Sequence, residues 1–504
     1  MFKKRGIFNS LMTSSRLLRA GFSLLKKDDI LASLKLWRSG SGSIHPRTNA
    51  RGFLETVIKY TTAAILLGVP LYPKFPLIRI PATFVSIRLE DILIAFSAIL
   101  LLGAYLPIVK KIFNSGLKRS VLLYISVGFV SLISAIFITK TIIPHIGLLH
   151  WLRRIEYIIP LFLGIEAVKR DRNNLDYFFK LLLITIFLSF IYGLGQRYFQ
   201  WPIIITQNEE YSKGVALRWV QGSHINSTFA GHYDLASFLV LVLPVVVATF
   251  FTLSHSKSKI ILALTYFSGM WLLVNSASRI SLVSYLIATI FALAFIKKYK
   301  AILLVVLVSL LFISFSSNLI SRYQRIIDVS INRIKSVKLM FNISNNVLAT
   351  NEEIIFPRQR LPLTPTPQPV FEDRSTNIRL NVEWPRALRA FAKNPLLGTG
   401  YSSITLATDN DYLRLLGEVG LMGFLAFFLL ILRILLIFIK KYPFDKHFKG
   451  LELSYIAGIF GSFAGVFTNA VFIDVFEASK FAIVFWLLMG FSISILSKNE
   501  SFNN

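Results

Sequence analysis

"ATDNDYLRLLGEVGLMGFLAFFLLIL", residues 407–432, opens polar and closes as unbroken apolar chain. Asp409, Asn410 and Asp411 stand directly before a long run that carries Gly417, Glu418, Gly420 and Gly423 in its first half. About 20 apolar residues are what a helix needs to cross a hydrocarbon core roughly 30 Å thick. The stretch therefore reads as a membrane helix with acids at its mouth. Those acids have two explanations. Acids are favoured at a helix N-terminus by capping and by the dipole, the reading expected for Asp411, or they serve chemistry at the membrane surface.

Runs of the same kind recur outward along the chain, near 57–78, 89–109, 120–139, 152–168, 177–196, 232–254, 259–276, 280–296, 301–318, 411–439, 451–470 and 480–497. The whole chain is 54% hydrophobic and only 16% charged, where soluble domains carry about a quarter charged residues. The expected fold is all-α: a polytopic membrane protein of about 12 transmembrane helices. Pro70, Pro73 and Pro76 break the first run, which makes its end the least defined.

The distribution of Lys and Arg sets the expected orientation. Eleven precede residue 57. Alternate short connections are basic: Lys110, Lys111, Lys118 and Arg119; Lys169, Arg170, Arg172 and Lys180; Lys297, Lys298 and Lys300; Lys440, Lys441, Lys446 and Lys449. Both termini are then expected in the cytoplasm. The net charge of +29 follows this topology, so no nucleic-acid partner is expected. The N-terminal residues have no compact apolar core with a cleavage site, and no signal peptide is expected. Cysteine is absent, which removes thiolate nucleophiles, disulfides and Cys-ligated metals.

This register divides the chain into a basic tail, 1–56; spans one to nine, 57–318; a large extracytoplasmic loop, 319–410; spans ten to twelve, 411–497; and a short cytoplasmic tail, 498–504. The loop opens with the basic, helix-patterned "LISRYQRIIDVSINRIKSVKLMF" and continues with the Pro-rich, extended "FPRQRLPLTPTPQPVFEDRS". Ile378, Val382, Trp384, Leu388 and Phe391 then define an amphipathic helix expected to lie on the bilayer, ended by Asn394-Pro395 and the glycines at 398 and 400. "SSRLLRAGFSLLKK" in the tail has the basic amphipathic character of a helix on the inner leaflet, although a flexible solvated tail is slightly the preferred reading.

Three polar clusters fall on the outer side in this register. "ALRWVQGSHINSTFAGHYDLASFL" carries Arg218, His224, Asn226, His232 and Asp234 into span six. "NSASRISLVSYL" places Arg279 in a tight turn between spans seven and eight. The quoted stretch supplies the third. A cation there opposes the inside bias and sits against apolar chain at a cost of up to roughly 3 kcal/mol, so it is expected to face a cavity or partner.

"DNDYLRLLGEVGLMG" resembles the signature of the bacterial O-antigen ligase and polymerase family: a His and a small polar residue, nine residues, Gly, two residues, Gly. Asn410 takes the polar position and Gly420 and Gly423 close the pattern; Asp409 stands where the family usually has His. "RLNVEWPRALRAFAKNPLLGTGY", "NSASRISLVSYL" and "RWVQGSHINSTFAGHYDLASFL" are similar to that family's upstream segment, its serine-arginine turn and its earlier arginine-bearing loop, so the likeness runs from about residue 210 to 430. The resemblance implies an enzyme of cell-surface polysaccharide assembly on the outer face of the plasma (inner) membrane. A polyprenyl-diphosphate-linked (undecaprenyl-type) glycan donor would be transferred to the hydroxyl of a lipopolysaccharide core, a growing lipid-linked glycan or a protein. It implies Arg279 and Arg218 on the diphosphate, Asp409 as the base beside Asn410, and His232 as an alternative base, with no cofactor and no metal. Arginines hold a developing diphosphate charge bidentately. The base must reach the acceptor hydroxyl. The Asp-Asn-Asp triplet also permits a divalent-cation reading. A transporter or flippase of lipid-linked glycans, and a catalytically altered family member, are the rival functions.

Overall fold

The computed structural model describes residues 46–73, 77–79, 86–105, 115–203, 218–220, 223–314, 377–404 and 407–497. The inner-leaflet reading of the tail, the basic stretch from 319, the Pro-rich section and the terminal tail lie outside the described residues. The chain divides into two compact units, Met1–Val57 and Ile58–Asn504. Residues 46–57 of the first are helical.

The described chain is almost wholly helical. Its helices are α1 (Pro46–Leu71), α2 (Leu89–Tyr105), α3 (Gly116–Phe137), α4 (Pro144–Arg170), α5 (Asn174–Tyr198), α6 (His232–Thr252), α7 (Ser256–Asn275), α8 (Arg279–Phe295), α9 (Tyr299–Ser314), α10 (Trp384–Lys393), α11 (Asp411–Ile439), α12 (Gly450–Asn469) and α13 (Ser479–Leu496). A two-residue antiparallel pairing joins β1 (Ile78–Arg79) to β2 (Ser86–Ile87). Every apolar run read from the sequence falls on one of these helices. Eight of them, α1, α3, α5, α6, α7, α11, α12 and α13, are long and apolar enough to cross a membrane, and α8 and α9 are shorter apolar helices. The first run needs correction. Its helix starts at Pro46, within the expected tail, and ends at Leu71, where Tyr72 N–H bonds the Gly68 carbonyl just ahead of Pro73.

α13 is buried along its full length and forms the axis of the bundle; α6 is nearly as enclosed. α13 packs against α4 where Gly164 meets Gly490: a Cβ on Gly490 would lie 2.3 Å from the Leu161 carbonyl. Small residues let backbones approach closely where lipid offers no hydrophobic drive. α12 similarly lies against α6 and α8.

Several helix ends meet at one end of the bundle. Asn469, the last residue of α12, donates to Ser237 on α6 and accepts from Ser281 on α8, at 2.8 and 3.0 Å. The next residue, Ala470, receives the Asp411 amide of α11 at 3.0 Å. The buried ammonium of Lys480, at the start of α13, donates to the carbonyls of Pro70 (3.1 Å), Tyr72 (2.8 Å) and Thr228 (2.7 Å). Charge on a fully buried Lys is costly unless fully hydrogen-bonded, and three carbonyls meet that need.

Candidate functional site

α11 starts at that gathering of ends, and its cap is not the expected acid. Asn410 is the N-cap, its Oδ1 accepting the Leu413 amide at 2.9 Å. Asp411, read as the cap from sequence, turns away and accepts the amides of Val475 (2.7 Å) and Phe476 (3.2 Å). Three successive polar residues can all cap; the free amides at 475 and 476 decide the register. Asp474 braces the same loop, its carboxylate accepting Thr408 N–H at 2.8 Å and Asn410 N–H at 3.0 Å. Between those amides Asp409 adopts φ 48°, a left-handed conformation in which Asn, Asp and His are enriched.

The Asp409 side chain meets Arg379. Nε and Nη2 of the guanidinium both donate to Oδ2, at 3.0 and 2.8 Å, and Nη2 also reaches the Tyr233 hydroxyl at 3.4 Å. Arg379 opens a π-helical turn, Arg379–Glu383, that runs directly into α10. π-turns are rare and frequently mark functional sites. Burial raises the Asp409 carboxyl above its usual range; Arg379 pulls it back without cancelling the effect, and Asp474 adds to the rise. Burial also pushes Glu383, at the other end of the π-turn, up to about 7, with Asp409 adding to the rise and Arg379 opposing it. The two acids of the Asp-Asn-Asp triplet have separate partners, so their carboxylates do not make a shared cation site.

The expected amphipathic element is present as the π-turn plus α10. Its outward residues include Leu380, Val382 and Leu388, exposed like Ile378 just before it and Leu396 just after it, while Trp384 packs towards Phe472 with ring centroids 6.3 Å apart. The chain that follows locks onto α11 at Gly420, whose φ of 69° and ψ of −173° break the helix. The peptide groups orphaned there are taken up by the loop. Thr399 N–H and Gly400 N–H donate to the carbonyls of Gly417 (3.0 Å) and Glu418 (2.7 Å), and the amides of Leu421 and Met422 donate to Pro395 (2.8 Å) and Leu396 (3.1 Å). Gly398, at φ 69°, faces the break: a Cβ on Gly420 would lie 2.4 Å from the Leu396 carbonyl and 2.5 Å from Gly398 N. Gly420 thus positions the loop carrying α10, and with it Arg379.

Beneath this surface lies a buried ionic network. Arg414 on α11 reaches Asp474 (3.0 Å), Glu477 (3.4 Å) and Glu418 (3.5 Å), and Arg154 on α4 pairs with Glu477. Burial alone would raise the Glu477 carboxyl, but Arg154 and Arg414 outweigh it and hold it well below the usual range. Arg154, Arg414, Glu418 and Glu477 line a cavity of about 40 Å³ together with Tyr124, Tyr401 and Tyr412. Glu418 pairs with Arg414 within its own helix.

The remaining sequence-derived residues lie at the same end. Arg279 is the first residue of α8, half-buried behind the Ser278 cap. Ser281, two residues on, bonds Asn469, which precedes the Ala470 carbonyl that holds α11. His232, first in α6, stacks on His224 with centroids 4.2 Å apart, and its neighbour Tyr233 touches Arg379. Arg218 is exposed; its Nη1 donates to the Gln200 carbonyl at 2.8 Å, beyond the end of α5. The contacts of Tyr233 with Arg379 and of Ser281 with Asn469 thus bring the starts of α6 and α8, which carry His232 and Arg279, towards the start of α11, while the Arg218 contact lies beyond the end of α5. Arg379, Glu383, Tyr233 and Asp474 were not singled out from the sequence. The first two lie inside the quoted run beginning RLNVEW, where the resemblance could have directed attention to them.

Residues 262–428 match the family model described as O-antigen ligase. This segment therefore forms an O-antigen ligase family domain, running from α7 through the Arg279 turn and α10 into α11. The match takes in Arg279, Arg379, Glu383, Asp409, Asn410, Gly420 and Gly423; Arg218 and His232 precede it. Helices of membrane-crossing length describe a membrane protein, and the match over residues 262–428 suggests glycan transfer of the O-antigen ligase type. No curated protein matches the chain.

Proposed function

We propose that the protein transfers a polyprenyl-diphosphate-linked glycan to an acceptor hydroxyl on the outer face of the plasma membrane, with about twelve helices, all those named except α10, crossing the bilayer and both termini inside. The observation that carries this reading is the Arg379–Asp409 pair, set among the starts of α6, α8 and α11, where Arg279 is the first residue of α8. Orientation rests on charge: Lys118, Arg119, Lys169, Arg170, Lys297, Lys298, Lys440 and Lys441 cluster at the opposite helix ends.

In this reading Arg279 receives the diphosphate as negative charge builds on it, and Arg218 meets its outer edge. Guanidinium forks suit that charge without a metal. Asp409 organises the carboxylate cluster that receives the proton of the acceptor hydroxyl. Asn410, capping α11, fixes the backbone on which Asp409 stands, and His232 walls the cluster from α6. An apolar groove of about 830 Å³ between α8, α11 and α12 supports a lipid-linked donor. It is lined by Phe291, Phe295, Leu425, Phe428 and Phe467 among others, and the Phe467 carbonyl accepts the Tyr412 hydroxyl at 2.7 Å, in the second position of α11. A polyprenyl tail lying there would bring its diphosphate to the helix starts.

The test uses the purified chain in lipid vesicles with a polyprenyl-diphosphate-linked oligosaccharide and separate glycan, lipid-glycan and peptide hydroxyl acceptors. Transfer with release of polyprenyl diphosphate is expected, reduced roughly 100-fold by Arg279→Ala and far less by Arg279→Lys. Movement of intact donor between leaflets with no transfer to any acceptor would replace this reading with a flippase.

A further inference from the structure

Two carboxylates face Arg379, and their situations differ. Asp409 commits Oδ2 to both Nε and Nη2 of the guanidinium. Glu383 lies four residues after Arg379 on the π-helical turn, close to one full turn, so the two side chains leave the helix on neighbouring faces. Its Oε2 is buried and has no hydrogen-bond partner among the described residues. Four charged groups face Glu383: Arg379 on its own turn, Arg386 on α10, Asp409 before α11 and Asp474 beyond α12. Two are cations and two are anions, so no ion pair claims it outright.

From this arrangement we infer that Glu383 takes the proton of the acceptor hydroxyl, while Asp409 holds Arg379 in place. The inference rests on the transferase reading above and assigns its proton acceptor. As the acceptor oxygen forms its new bond to the anomeric carbon, its O–H proton passes to Glu383. The bond from that carbon to the diphosphate oxygen breaks, and the electron pair leaves with the diphosphate. The Arg379 guanidinium, neutralised by Asp409, stays beside Glu383 to receive the carboxylate when it ionises again. A carboxylate engaged by a guanidinium is a poor base, whereas one held near neutrality is matched to the task. Pairs of titratable groups whose surroundings push them apart mark acid–base assignments. The rise of Glu383 to about 7 agrees with the geometry.

The experiment measures kcat and KM against pH for the full chain in vesicles, using the polyprenyl-diphosphate-linked oligosaccharide and a hydroxyl acceptor. Wild type should lose activity as pH falls through about 7. Glu383→Gln, nearly isosteric, should lower kcat at least 100-fold, leave donor KM within about threefold and abolish that inflection. Glu383→Asp should retain part of the rate with a displaced inflection, which guards against a folding defect in the amide variant. If Glu383→Gln keeps the wild-type rate and pH profile, the assignment is wrong while the transferase reading stands. If wild type transfers to no acceptor, the transferase reading fails and takes this assignment with it.

Discussion

Arg379 and Asp409, thirty positions apart, close on each other through two hydrogen bonds to a single carboxylate oxygen, at 3.0 and 2.8 Å. Both side chains are largely shielded, 11% and 21% exposed. Removing one partner of such a pair leaves a charge uncompensated. Asp409→Asn keeps the shape and the left-handed backbone but frees the guanidinium. Transfer is expected to fall roughly 10- to 100-fold, while an inflection set by Glu383 persists, moved to lower pH because the Asp409 charge no longer adds to its rise and Arg379 is left unopposed. Loss of the inflection in Asp409→Asn would return the base role to position 409. The readout is kcat against pH.

Glu383 makes a stability prediction of definite sign. Its carboxyl holds a proton up to about 7 in the folded chain, against a reference value of 4.5 for the free side chain. Between those values the folded state binds more protons than the unfolded one, so this group's contribution favours folding at low pH and is lost as pH rises from about 4.5 to about 7. Glu383→Gln should therefore melt higher than wild type above pH 7 and show little difference near pH 4.5. Thermal unfolding in detergent across that range measures it, and a lower melting point for the variant at pH 8 would contradict it.

Gly420→Ala should be among the most damaging single-methyl additions in the chain. The position combines φ 69° with ψ −173°, a region essentially reserved for glycine, and a Cβ there would press on the Leu396 carbonyl at 2.4 Å. Strain and overpacking together should cost on the order of 3 kcal/mol. The loop bearing α10 should detach before the bundle unfolds. Protease sensitivity within 394–404, scored beside the amount of protein in the membrane, separates those two outcomes.

The groove between α8, α11 and α12 predicts a dependence on donor chain length. Ala464→Trp should obstruct it and raise KM about tenfold or more for a long-chain polyprenyl diphosphate donor, the equivalent of roughly 1.4 kcal/mol. KM for a water-soluble, short-chain analogue should change little. Equal effects on both donors would point to a distortion of the site instead.

Much of the architecture was legible because lipid imposes a simple demand: every crossing backbone must close its own hydrogen bonds inside an apolar segment of sufficient length. α11 was read at 411–439 and is found there. α1 was read too late because its first turns, from Pro46, include Arg47 and Arg51 and lack the apolar pattern that marks a span. The site was only partly legible. Asp409 and Arg279 sit at punctuated helix starts, where local pattern speaks. Arg379 and Asp474 act through contacts over 30 and 64 to 66 positions, fixed by the fold-back at Gly420 and by the turn after α12. No periodicity encodes those. The cap at Asn410 rather than Asp411 was likewise settled by amides more than sixty residues away.

The Asp474 brace bears on how this family can vary. It grips the main chain on both sides of position 409, through the amides of Thr408 and Asn410, and leaves the intervening side chain to the cluster. Aspartate and histidine both tolerate the φ of 48° found there. An exchange between them therefore alters the partner offered to Arg379 without demanding a new loop. The scaffold works as a socket, and a lineage could change the side chain it presents while inheriting the mounting intact.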